Sequence, residues 1–168
     1  MININEYLLS KNKKTQTIYA TDATLYRIVR DEISKLGKKA DLNHIDVSGV
    51  SDFYYGLDWN DDMPENLVGL FDGTEFEGDV SQWDMTNAEI TTSMFESCKN
   101  FNCDISNWNV EKINTCRCMF RHCRSFMGDL SKWNMKSIKH HDDIEYMFER
   151  CPLGSHGNFL PKFPNLHD

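Results

Sequence analysis

Residues 101–126 read FNCDISNWNVEKINTCRCMFRHCRSF, and near-copies flank them on both sides. FEGDVSQWDMTNA starts at Phe76, FNCDISNWNVEKI at Phe101 and FMGDLSKWNMKSI at Phe126, so the phenylalanines recur every 25 residues. Within this frame Asp79, Asp104 and Asp129 align, as do Ser81, Ser106 and Ser131, and Trp83, Trp108 and Trp133. A second block follows in each copy: SMFESC at Ser93–Cys98, CMFRHC at Cys118–Cys123 and YMFERC at Tyr146–Cys151. The last is offset by 28 rather than 25, which places a three-residue insertion near His140–Asp143. A degenerate copy, ADLNHIDVSGV from Ala40, carries Ile45 in place of tryptophan, and Gly69-Leu70-Phe71 stands in for Ser-Met-Phe.

Self-similarity at a fixed period of this length is the mark of a repeat array. Four units are expected, at 41–75, 76–100, 101–125 and 126–153. Each contains apolar-x-x-apolar-x-apolar-x-x-apolar, as in Ile105, Trp108, Val110 and Ile113. That is leucine-rich-repeat spacing, with a short strand on the alternating portion. In the second block Met94, Phe95 and Cys98 share one face at helical spacing, and Ser93 with Glu96 fits a capping box. The expected fold class is therefore α/β: a leucine-rich-repeat-type solenoid of about four strand–helix units. Residues 1–40 form its N-terminal cap, an edge segment plus a helix over 22–36 opened by Thr21-Asp22 and closed by Gly37. Residues 154–168, rich in proline, form an extended C-terminal cap.

The segment from Asn100 to Phe126 resembles the BspA-like leucine-rich-repeat family of bacterial surface proteins and lipoproteins. That family's pattern runs F-N-x-D-I-S-x-W-D/N-V and then M-F-x-x-C. The resemblance covers about residues 40–153, and Cys151-Pro152-Leu153 looks like the usual end of such an array. It implies adhesion or protein binding. The chain departs from the family in its first unit, which lacks tryptophan, in an aromatic and acidic insertion, and in showing no export signal.

Composition narrows the function. The formal net charge is −8, which opposes direct nucleic-acid binding because phosphate contacts need a basic surface. It allows a basic partner, or mimicry of nucleic acid. No run of apolar residues reaches the ~18 needed to span a bilayer. With no secretory signal at the start, the expected location is cytoplasmic and the six cysteines are expected to be reduced.

Several groups carry chemistry in principle. The tryptophan column is read as core rather than as a stacking platform. The aspartate column is read as capping turn N–H groups, since calcium needs six to eight converging oxygens. Cys98, Cys123 and Cys151 are read as buried hydrophobes, and no pairing with zinc spacing is visible. His122 beside Cys123 does not make a nucleophile pair, because helical neighbours do not face each other. His140-His141-Asp142-Asp143 is read as a solvated loop. No catalytic residue, metal ligand or cofactor is expected.

Two candidate binding surfaces remain. One is the polar grid of outward strand positions on the concave side: His44, Asp46 and Ser48, then Gln82, Asp84 and Thr86, then Asn107, Asn109 and Glu111, then Lys132, Asn134 and Lys136. Solenoids commonly bind partners there. The other is the insertion 53–66, with Phe53, Tyr54, Tyr55 and Trp59 beside Asp58, Asp61, Asp62 and Glu65. Aromatic anchors with a polar rim suit a binding hot spot, but the same aromatics could patch the degenerate first unit. The expected function is a non-catalytic module that binds a protein partner. The alternative is an acidic decoy that blocks a nucleic-acid-binding or defence protein.

Overall fold

The computed structural model describes residues 16–55, 68–72 and 74–167. Four strands, each of two residues, occur among them: β1 (Ile18–Tyr19), β2 (Ile45–Asp46), β3 (Tyr54–Tyr55) and β4 (Val68–Gly69). The described residues also hold one α-helix, α1 (Leu25–Leu36), and three short 3-10 turns near the C-terminus. This overturns the leucine-rich-repeat solenoid of strand–helix units: most of the chain is turns and coil.

The reason is local backbone conformation. In the block expected to be helical, Ser93 and Ser97 have φ of 54° and 62°. Their counterparts Cys118 and His122, and Tyr146 and Arg150, share that left-handed conformation. A right-handed helix cannot pass through such residues. Glu96 donates its N–H to the Ser93 carbonyl at 3.0 Å, closing a tight turn rather than a capping box.

The expected strand is interrupted just as regularly. The Oδ1 atoms of Asp41, Asp79, Asp104 and Asp129 accept the N–H two residues on, at 2.8–3.0 Å. A second such turn follows in three units, on Asp46, Asp84 and Asn109. Short polar side chains that bond their own backbone compete with extended structure.

With no α-helix or wide sheet in the described residues of the repeats, backbone groups must find partners elsewhere. They find them in the neighbouring repeat. Thr91, Ser93, Phe95 and Ser97 donate N–H to the carbonyls of Thr115, Arg117, Met119 and Arg121 at 2.8–3.0 Å. Cys116, Cys118, Phe120 and His122 donate in turn to Asp143, Glu145, Met147 and Glu149. The amides between them, such as Met94, Glu96 and Cys98, close turns three residues back. Each unit is thus one coil laid on the next in parallel, joined through alternate N–H groups. We number the coils one to four, as the sequence units.

Tryptophan joins the coils on the other side. The indole N–H groups of Trp83, Trp108 and Trp133 donate to the carbonyls of Leu42, Val80 and Ile105, one coil earlier, at 3.0–3.1 Å. The three rings are at most 5% exposed. Phenylalanines fill the space between. Phe71, Phe95, Phe120 and Phe148 stack in one column with centroids 5.0–5.7 Å apart, and Phe76, Phe101 and Phe126 form a second. The columns interleave, with Phe95 and Phe101 4.0 Å apart. At roughly 25 cal/mol per Å² and 150–250 Å² per ring, each buried aromatic contributes roughly 4–6 kcal/mol of burial. Close approach demands a small residue where coils one and two meet: a Cβ on Gly69 would collide with the Ser93 carbonyl.

Non-repeat chain packs against both ends, over the first coil and along one half of the last. At the N-terminal end β1 pairs in parallel with β2, and α1 buries Leu25 and Val29 against coil one. Leu36, the last residue of α1, is 54% exposed. Gly37 closes α1 at φ 85°. Asp22 lies ahead of the helix rather than inside it, and accepts the N–H groups of Ser51 and Asp52 at 2.8 and 3.1 Å. Arg30 donates to the Asp72 carbonyl at 2.7 Å, tying the helix to coil one. At the other end the tail lies along coil four, with Leu130 donating to Phe159, Met135 to Lys162 and Lys162 to Trp133.

Trp108→Phe keeps an aromatic ring but removes one inter-coil donor. It is expected to cost about 1–3 kcal/mol, with a Tm drop of about 2–4 °C per kcal/mol. The exposed Asn107→Ala is expected to stay within about 0.5 kcal/mol. Equal stability of the two variants in thermal melts would remove the indole bonds from the folding account.

Candidate functional site

The coil stack fixes where each candidate residue lies. Gln82, Asn107 and Lys132 occupy one repeat position and are exposed in three successive coils. Asp84, Asn109 and Asn134 occupy another and are also exposed. Asp46 and Glu111 are half-buried. Part of this grid holds the coils in shape. Asp46, Asp84 and Asn109 accept turn N–H groups, and hydrogen bonds from Thr86 hold the Asp84 carboxyl below the usual range. Glu111 takes Lys136 at 2.6 Å across the coil boundary. Asn134 bridges the tail at Lys162. Gln82 donates its backbone N–H to the Asn43 side-chain oxygen at 2.8 Å, and its exposed side-chain amide donates to the neighbouring Ser81 hydroxyl at 3.1 Å. Gln82, Asn107 and Lys132 therefore form the column with most side chain free for recognition.

The insertion divides. Phe53 is 1% exposed, with its ring 6.2 Å from Trp83, so it belongs to the core. Tyr54 and Tyr55 form β3 and pair with Gly69 and Val68 in antiparallel register. Tyr54 is half-buried; burial, with the nearby Asp52 charge, raises its hydroxyl pKa. Asp58, Trp59, Asp61, Asp62 and Glu65 lie outside the described residues.

The groups with intrinsic reactivity are closed off. Cys98 and Cys123 donate their thiols to the carbonyls of Phe71 and Phe95 at 3.4 and 2.9 Å. Burial pushes the Cys98 thiol up to about 12 and the half-buried Cys103 thiol up to about 11. It raises Cys116 and Cys123 as well. Thiolate is the nucleophile, so these groups are unreactive at neutral pH. His122, at φ 61°, has a buried Nε2 with no hydrogen-bond partner among the described residues, while the Cys123 thiol is committed to Phe95. His140 and Asp143 cap the 3-10 turn His141–Ile144: the Asp143 carboxylate accepts the His140 N–H at 3.1 Å. Among the described residues no group of three or more His, Cys, Asp or Glu side chains is placed to hold a metal ion. Nor is any described helix long and apolar enough to cross a membrane.

Sequence reasoning missed the charge columns. Arg121 lies 3.2 Å from Glu96 in the coil before and 2.7 Å from Glu149 in the coil after. Arg117 pairs with Glu145, and Lys112 donates to Asn87. The signal was present as opposite charges spaced 25 and 28 residues apart.

With the geometry in place, comparison with known families gives a match. Residues 40–156 match the family model described as Mycoplasma protein of unknown function, DUF285. This corrects the expected BspA-like leucine-rich-repeat membership: the motifs quoted for that resemblance fall inside the matched span. Comparison with curated proteins and with solved structures gives no match.

Alkylation at pH 8 checks the closed thiols. In the native protein only the partly exposed Cys103 and Cys118 are expected to react, and slowly, because both pKa values are raised. Cys98, Cys116, Cys123 and Cys151 are expected to react only on unfolding. Rapid native modification of Cys123, located by mass spectrometry, would reopen a nucleophilic role.

Proposed function

We propose that this chain, which belongs to the DUF285 family of Mycoplasma proteins of unknown function, is a non-catalytic module that binds a protein partner. The observation carrying the reading is the exposed column of Gln82, Asn107 and Lys132, repeated every 25 residues on a hydrogen-bonded stack of coils. A rigid backbone presents these side chains with little ordering cost on binding, which favours affinity. Two further features support it. Four of the six thiols, Cys98, Cys116, Cys123 and Cys151, are buried in the core and spent on packing. The net charge of −8 disfavours phosphate backbones and favours a basic protein surface.

The test is affinity capture from a host lysate, read by mass spectrometry, with a matched variant. The triple variant Gln82→Ala, Asn107→Ala, Lys132→Ala is expected to lose the captured protein at least about tenfold. Its Tm should stay within a few degrees of the parent, because all three side chains are exposed. Equal capture by the variant would contradict the assignment of this column.

A further inference from the structure

The stack ends unevenly. In coils two and three, N–H groups at every second position of the second block donate to the next coil. The matching positions of coil four are Tyr146, Phe148 and Arg150, and their N–H groups donate to no described residue. The tail covers only the other half of this coil, along Leu130–Lys139. Three donors thus stand in a row at the spacing that, one coil earlier, receives the carbonyls of Glu145, Met147 and Glu149. An unpaired row of backbone donors is a template for another chain.

Beside the row runs an open groove of about 370 Å³, lined by Ile144, Tyr146, Met147, Phe148, Leu160 and Phe163. Phe148 stacks on Phe120 at 5.7 Å, and no described ring covers its other face. The charge columns end here too. Glu96, Arg121 and Glu149 alternate in sign up the stack, and Arg117 is followed by Glu145. Both columns therefore finish on a partly exposed carboxylate.

We propose that this edge takes an extended peptide segment of a partner protein, lying parallel to residues 145–150 as a further coil would. Its register dictates its chemistry. Carbonyls at positions p, p+2 and p+4 accept the N–H groups of Tyr146, Phe148 and Arg150. Basic side chains at p and p+4 continue the columns above Glu145 and Glu149. Apolar side chains at p+2 and p+3, the second aromatic, enter the groove and stack on Phe148. This is strand addition to an open edge, with backbone bonds giving affinity and side-chain pockets giving specificity. A second copy of the same edge is the wrong occupant, because it would set Glu145 and Glu149 against like charges. The proposal deepens the binding-module reading by naming a partner chemistry, but it uses a surface distinct from the Gln82 column.

The probe is a capped synthetic peptide, TSRSMFRHSR, copied from Thr115–Arg124 with serine in place of the cysteines. Amide exchange by NMR and fluorescence anisotropy read its binding to the full chain. Without peptide, the amides of Tyr146, Phe148 and Arg150 are expected to exchange at least about 100-fold faster than those of Cys118, Phe120 and His122. Peptide is expected to slow the first three at least about tenfold. Replacing both peptide arginines of the R-x-x-x-R pair by glutamate, or Glu149→Lys in the protein, is expected to weaken binding at least about tenfold. The glutamate peptide needs no change in the protein, so a misfolded variant cannot mimic the result. Unchanged exchange on adding peptide, or equal binding of the glutamate peptide, overturns the proposal. So does concentration-dependent protection of the three amides without peptide, which would assign the edge to a second copy. None of these three outcomes touches capture through Gln82, Asn107 and Lys132, so the two readings fail separately.

Discussion

A buried backbone group needs a hydrogen-bond partner, and in this chain the partner comes from the neighbouring coil. Alternate N–H groups from Thr91 to Ser97 reach carbonyls 24 residues ahead, while the amides between them close local turns. On the opposite side three indoles reach back to the carbonyls of Leu42, Val80 and Ile105. Each such bond contributes about 1 kcal/mol net, but leaving its buried acceptor unmet costs more. The repeat therefore conserves register more strictly than it conserves any element. Phenylalanine columns and buried thiols fill the interior that this register creates. Shifting one coil by one residue would put apolar side chains in water and strand the donors.

The same economy decides where function can lie. Most apolar side chains and four of the six thiols face inward, so what the repeats show outside is mainly polar and regularly spaced. Aspartates that look available for a ligand, such as Asp84, already accept a turn N–H. Glu111 is paired with Lys136 across a coil boundary. The stack is also directional. Its first coil is covered by α1 and by β1, whereas its last is covered only in part, by the tail. A directional stack with one open side offers a ladder for pairing, which a closed globule does not.

Much of the packing is legible in the sequence. Recurrence of Trp, Phe and Cys every 25 residues implies columns, and buried columns are found. What could not be read was how the backbone travels between them. Met94, Phe95 and Cys98 fall on one helical face, yet they also face inward from two consecutive turns, and a six-residue block is too short to separate the cases. The deciding fact is positive φ at Ser93, Ser97 and their counterparts, none of them glycine. Such conformations are imposed by packing between coils and leave no residue-type signature. The strand expectation had a readable warning, because Asp-x-Ser and Trp-Asp-x-Thr each carry a turn-forming side chain. The polar column was legible as repeated exposed positions. The open edge was not, since it depends on which amides the neighbouring coil leaves unpaired.

The stack is held by hydrogen bonds that join residues 24 apart in sequence, and these can be observed directly. Scalar couplings across hydrogen bonds, measured by NMR on labelled protein, report which carbonyl each amide reaches. The coil stack predicts correlations from the amides of Ser93, Phe95 and Ser97 to the carbonyls of Arg117, Met119 and Arg121. Correlations from Ser97 and Cys98 to carbonyls four residues earlier would mean a helix in this block, and would contradict the stack at its foundation.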